Sequence, residues 1–135
     1  MDVTVRREAV NPVTWAAEWG FNQGEVVSGH TRTLYCSGQT ATDAQGRPRH
    51  EGDMAAQLAA SADNLAAVLA GAGMSWANLV RLTVYTTDVD GLLPRYGVLA
   101  GRLGAAGVAP ATTMLGVTRL AIPGLLVELE GTAVA

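Results

Sequence analysis

Glu128 and Glu130 stand two apart in Leu126-Val127-Glu128-Leu129-Glu130-Gly131. In a strand that spacing puts both carboxylates on one face. Buried without partners, two such groups are costly and hold raised pKa values, which suits general acid and base work. A solvated strand edge would have the same spacing. The second chemical cluster is Cys36-Ser37-Gly38-Gln39, which ends a β-rich run with a hydroxyl, an unobstructed backbone amide and a side-chain amide. An ordinary turn has the same composition.

The other reactive types point away from common mechanisms. His30 and His50 are the only histidines and have no second ligand at metal-like spacing, so no metal site is expected. Cys36 is the only cysteine, which excludes an internal disulfide and fits a reducing, cytoplasmic setting. Flanked by Tyr35 and Ser37 in an apolar run, it is expected to be a buried, unreactive thiol. All nine basic residues are arginines, so lysine Schiff-base chemistry is excluded. They are scattered and the net charge is −3, so no nucleic-acid groove is expected. Neither G-x-S-x-G nor a phosphate-cradling glycine loop occurs. The charged, alternating start does not read as a signal peptide, and no apolar run is long enough for a membrane span.

The elements that must carry these residues are legible in period and punctuation. The chain has 135 residues, 49% of them apolar and 16% charged, which fits one domain over 1–135. Residues 3–10 contain several β-formers and serve as a first strand. Residues 24–39 hold two short β runs about Ser28-Gly29-His30, which predicts a hairpin. From Met54 to Ala70 the stripe Leu58, Ala62, Leu65 and Leu69 predicts a helix capped by Asp53 and ended by Gly71 and Gly73. Residues 78–90 return to alternation. A second helix is predicted over 91–103 on Leu92, Tyr96, Leu99 and Leu103, and two strands follow at 112–118 and 125–134. The order β-β-β-α-β-α-β-β predicts an α+β fold, a mixed sheet with two helices on one face. The last strand sets carboxylates among apolar residues on the face that two helices cannot cover, so a homo-oligomer is expected.

Five segments resemble, in order, the reactive intermediate deaminase (Rid, YjgF-type) family, also labelled endoribonuclease L-PSP. They are residues 20–48, the helix with Gln57 and Asn64-Leu65, Leu79–Leu92, Ala109–Leu120 and the terminal "LVELEGTAVA". The resemblance implies a chorismate-mutase-like protomer assembled as a homotrimer, with small-molecule clefts between subunits. It implies cofactor-free hydrolysis of an imine or enamine in those clefts. It assigns the catalytic glutamate to Glu128 and substrate-binding positions to Ser37 and Gly38. Phe21 stands where the family has a tyrosine, Thr112 where it has the arginine that clamps the substrate carboxylate, and Met114 at a position often held by cysteine. With Thr112 in that place, ordinary 2-aminoacrylate deamination is not expected. A differently anchored imine, enamine or related small electrophile is the leading expectation. The alternative is a trimer that binds a metabolite without turnover, and ribonuclease activity ranks below both. Arg119 lies seven residues beyond Thr112, an odd separation that turns it to the other face of an unbroken strand.

Overall fold

The computed structural model describes residues 4–135. Two sheets form. Strands β1 (Arg6–Val10) and β2 (Gly24–Ser28) make an antiparallel pair. Strands β3 (Thr33–Thr40), β4 (Leu79–Thr86), β5 (Ala111–Gly116) and β6 (Val127–Val134) make a mixed sheet in the order β3-β6-β4-β5. Only β4 and β5 run parallel, as a helical crossover between them requires. Val3, counted in the predicted first strand, lies outside the described residues.

The predicted hairpin about Ser28-Gly29-His30 does not form, because β2 pairs with β1 and β3 pairs with β6. Gly29 takes the left-handed region at φ +80°, and a Cβ there would meet the Thr4 carbonyl oxygen at 2.5 Å. The chain therefore turns out of the first pair and enters the second sheet. The amides of Thr31 and Arg32 both donate to the Ala135 carbonyl, at 2.8 and 2.9 Å. Backbone donors that a hairpin would have used are satisfied by the end of the chain.

Helix α1 (Met54–Gly71) starts as its sequence demands. Asp53 is extended and its carboxylate accepts from the Ala56 amide at 3.1 Å. Leu58, Ala62, Leu65 and Leu69 are fully buried against the sheet, each leucine contributing about 2 kcal/mol of apolar burial. The second helix is broken. A single turn, α2 (Val89–Leu92), passes through a 3-10 turn at Leu93–Arg95 into α3 (Gly97–Ala105). Pro94 has no amide to donate, so the chain re-initiates there. The stripe survives the break, for Leu92, Tyr96, Leu99 and Leu103 are all buried.

Both long helices lie on one face of the four-stranded sheet, with α1 against β3 and β6 and α3 against α1. Leu82 and Val84 of β4 and Val127, Leu129 and Ala133 of β6 point into this core. Among the described residues the opposite face carries no helix. It presents Arg81, Thr83 and Tyr85 from β4, Glu128, Glu130 and Thr132 from β6, and Tyr35 from β3, which is 79% exposed. The β1-β2 pair is tied to the sheet by Arg7. Its guanidinium grips Glu25 at 2.8 and 2.9 Å and donates to the Ala77 and Leu79 carbonyls at 2.8 and 2.7 Å.

Candidate functional site

Strand register divides the residues of interest between the two faces. In the parallel pair Leu82 stands beside Thr112 and Val84 beside Met114, so both β5 residues point toward the helices. In the antiparallel pair Tyr85 stands beside Glu128 and Thr83 beside Glu130, so both glutamates point to the open face. Within one chain the sheet itself therefore separates Thr112 and Met114 from Glu128.

On the helix side, Thr112 and Met114 join Phe21, Trp15, Trp19, Leu93 and Tyr96 around a cavity of about 300 Å³. The tryptophans come from a 3-10 segment, Trp15–Trp19, that links β1 to β2. Ala16 is its buried anchor, which leaves Trp15 and Trp19 60% and 45% exposed. Trp15 meets Phe21 edge to face with centroids 6.1 Å apart, a favoured aromatic geometry. Thr112 Oγ1 donates to the Pro110 carbonyl at 2.7 Å. Its proton is thus held by the backbone, and this cavity has no charged side chain in its wall.

On the open side, a second cavity of about 300 Å³ is lined by Gly38, Tyr85, Glu128, Glu130, Arg119 and its neighbours Leu120 and Ala121. The ladder between β3 and β6 slips by one residue between Cys36 and Gln39, so Ser37 and Gly38 form a bulge. A Cβ on Gly38 would overlap the Glu128 carboxylate, with Cδ at 2.7 Å. Glycine is what lets that carboxylate lie against the backbone. Ser37 is exposed beside it, and its carbonyl accepts from Gln39 Nε2 at 3.2 Å. Burial first, and the neighbouring Glu130 charge second, hold the Glu128 carboxyl above its ordinary pKa. Tyr85 donates to Glu130 Oε1 at 3.2 Å. Desolvation first, and the Glu130 charge second, push the Tyr85 phenol up as well.

Arg119 reaches this cavity from a loop, because β5 ends at Gly116. Gln57 fixes the far end of that loop. Its buried amide donates to the Gly124 carbonyl at 2.8 Å and accepts from the Leu126 amide at 2.7 Å. Odd spacing set Arg119 opposite Thr112, and that is the side on which Glu128 lies. Tyr85 and the exposed tryptophans are wall residues that periodicity did not single out.

The remaining reactive residues lie elsewhere. Cys36 is 4% exposed, and burial raises its thiol pKa. His30 and His50 are exposed, His50 with φ +56°. Among the described residues no helix is long and apolar enough to cross a membrane.

A family profile described as endoribonuclease L-PSP matches residues 13–135. The chain belongs to this family, the Rid/YjgF proteins. Protein DfrA of Myxococcus xanthus is 34% identical over 105 residues, covering 77% of each chain. A RutC family protein of Synechocystis is 32% identical over 115 residues, covering 84% of this chain and 85% of that one. Among solved structures, a Rid-family protein of unknown function from Yersinia pestis superposes with a TM-score of 0.79. It is 33% identical, over 96% of this chain and 98% of its own. The six positions that the resemblance singled out thus divide within this chain. Gly38 and Glu128 share the open-face cavity with Ser37 at its bulge, while Phe21, Thr112 and Met114 share the aromatic one.

Proposed function

We propose that this Rid-family protein is a homotrimer that hydrolyses a small imine or enamine in clefts between subunits, without a cofactor. Each cleft joins the Glu128 cavity of one subunit to the aromatic cavity of the next. Glu128 is the catalytic residue. As a carboxylate it takes a proton from water while the oxygen adds to the C=N carbon. It then returns that proton to nitrogen, and the carbinolamine releases ammonia and leaves a carbonyl product. An enamine first takes a proton on carbon and gives one up from nitrogen, which makes it the imine. Ser37 and Gly38 hold the reacting end of the substrate, and Phe21, Thr112 and Met114 wall its remainder.

One observation carries this reading. Glu128 is a partly desolvated carboxylate with a raised pKa, seated against a backbone that only glycine permits, in an open cavity. A base with a pKa moved toward neutrality is the better proton carrier. The apolar lining of the other cavity, with the Thr112 proton already committed, favours a bulky apolar group over the small 2-aminoacrylate.

The test is ammonia release from freshly generated imines of increasing side-chain size, with wild type beside Glu128→Gln. The reading expects turnover of bulky apolar imines, little with 2-aminoacrylate, and loss in the variant. Tight binding with no turnover of any imine would favour the second reading, a metabolite-binding trimer, for which the replaced family arginine speaks. A stable monomer by sedimentation would remove the shared cleft.

A further inference from the structure

We infer that Arg119 is the anion-binding residue of the cleft, so that the substrate's negative group lies on the Glu128 side and its apolar group on the Thr112 side. The inference rests on the imine reading only for the word substrate, since anion binding does not require turnover.

Three observations carry it. Arg119 is the one arginine among the residues lining the Glu128 cavity. It is exposed, and the ion pairs found among the described residues, Arg7–Glu25 and Arg102–Asp63, do not include it. Glu130, one of the two carboxylates in this cavity, already receives the Tyr85 hydroxyl at 3.2 Å. The other arginine on this face, Arg81, donates to Thr113 Oγ1 at 2.8 Å and does not line the cavity.

A plainer role for Arg119 is to offset the two glutamates in the folded protomer. Such a role would bring the guanidinium into contact with one of them, and it touches neither. A planar fork with free donors in an open cavity instead matches a carboxylate or a similar planar anion. The aromatic cavity complements it, because a wall of Trp15, Trp19, Phe21 and Met114 with no cation suits the uncharged end of the same molecule. Charge and apolar bulk thus sit on opposite sides from the arrangement that an arginine at position 112 would impose.

The experiment is equilibrium binding of phenylpyruvate and of its neutral amide to the full-length protein, followed by tryptophan fluorescence and calorimetry. Wild type is expected to bind the anion roughly 10- to 100-fold more tightly than the amide, the range of a charge-assisted pair. Arg119→Ala should abolish that preference and leave amide binding within about twofold, while Arg119→Lys should keep part of it. An anion preference that survives in Arg119→Ala, or its absence from wild type, overturns the inference. Imine turnover is measured separately with Glu128→Gln. Loss of the hydrolase reading with the preference intact leaves Arg119 as the anchor of a binding protein. Melting temperature and sedimentation of Arg119→Ala separate a structural offset role, which would lower stability without moving the preference.

Discussion

The two cavities are of equal volume and line opposite faces of one sheet, yet they are built on contrary principles. The helix-side cavity is walled by aromatic and aliphatic side chains, and the Thr112 hydroxyl in its wall is bonded inward. The open-face cavity gathers two carboxylates, a phenol and a guanidinium about a glycine bulge. Apolar walls discriminate by volume and tolerate exchange of one hydrocarbon for another. Polar walls discriminate by charge and geometry, and a displacement of an ångström is felt. On the proposed reading, the same fold carries one wall that selects and one that reacts.

The largest effect that separates them is expected from Glu128→Gln. Imine hydrolysis should fall by roughly 10² to 10⁴ in kcat with binding of the apolar group retained. The same variant has a stability signature. A carboxyl whose pKa is raised on folding binds more protons in the native state than in the unfolded one. Native stability then falls as pH rises from the ordinary carboxylate pKa through the raised one. Glu128→Gln should flatten that slope and melt no lower than wild type at neutral pH. A lower melting temperature would show the carboxylate to be structural.

Gly38→Ala is expected to follow, with a loss of about 10- to 100-fold, because its Cβ displaces the Glu128 carboxylate without removing it. Circular dichroism and ammonia release together check it. Trp15→Ala, on the other wall, should raise KM for a bulky apolar imine by about tenfold and leave kcat nearly unchanged. A collapse of kcat there would make the aromatic wall part of the reacting geometry.

Glu130→Gln should move the rising limb of the pH–rate profile to lower pH, since it removes the charge that, after burial, holds Glu128 up. The smallest effect is expected for Thr112→Val. Its hydroxyl is bonded to Pro110, so stability should change by about 1 kcal/mol or less and activity by no more than two- to threefold. A large loss of activity would show that the hydroxyl leaves the backbone to meet substrate.

What was legible in the sequence followed from period and punctuation. The α1 stripe, the Asp53 cap and the parity of Glu128 with Glu130 are local properties, and all three hold. The hairpin at Ser28-Gly29-His30 failed because two adjacent β runs joined by glycine say nothing about which neighbour each will pair with. That choice is made by β1 for the first run and by the distant C-terminal strand β6 for the second. The separation of Thr112 from Glu128 was hidden for a related reason. Parity orders residues within a strand, but only the β4 ladder relates the faces of β5 and β6. Parity set Arg119 on the face opposite Thr112, but that it reaches the Glu128 cavity from a loop after Gly116 is not written in the strand period.

The tie between Arg7 and the carbonyls of Ala77 and Leu79 has a consequence for how such a protein changes over generations. The aromatic wall hangs on the connection between β1 and β2, and that pair is fastened to the sheet at a point outside both cavities. Substitutions among residues 13–21 can remodel the selecting wall without disturbing the ladder that seats Glu128. A lineage built this way can reshape the aromatic cavity by drift in a single strap while the Glu128 cavity is inherited intact.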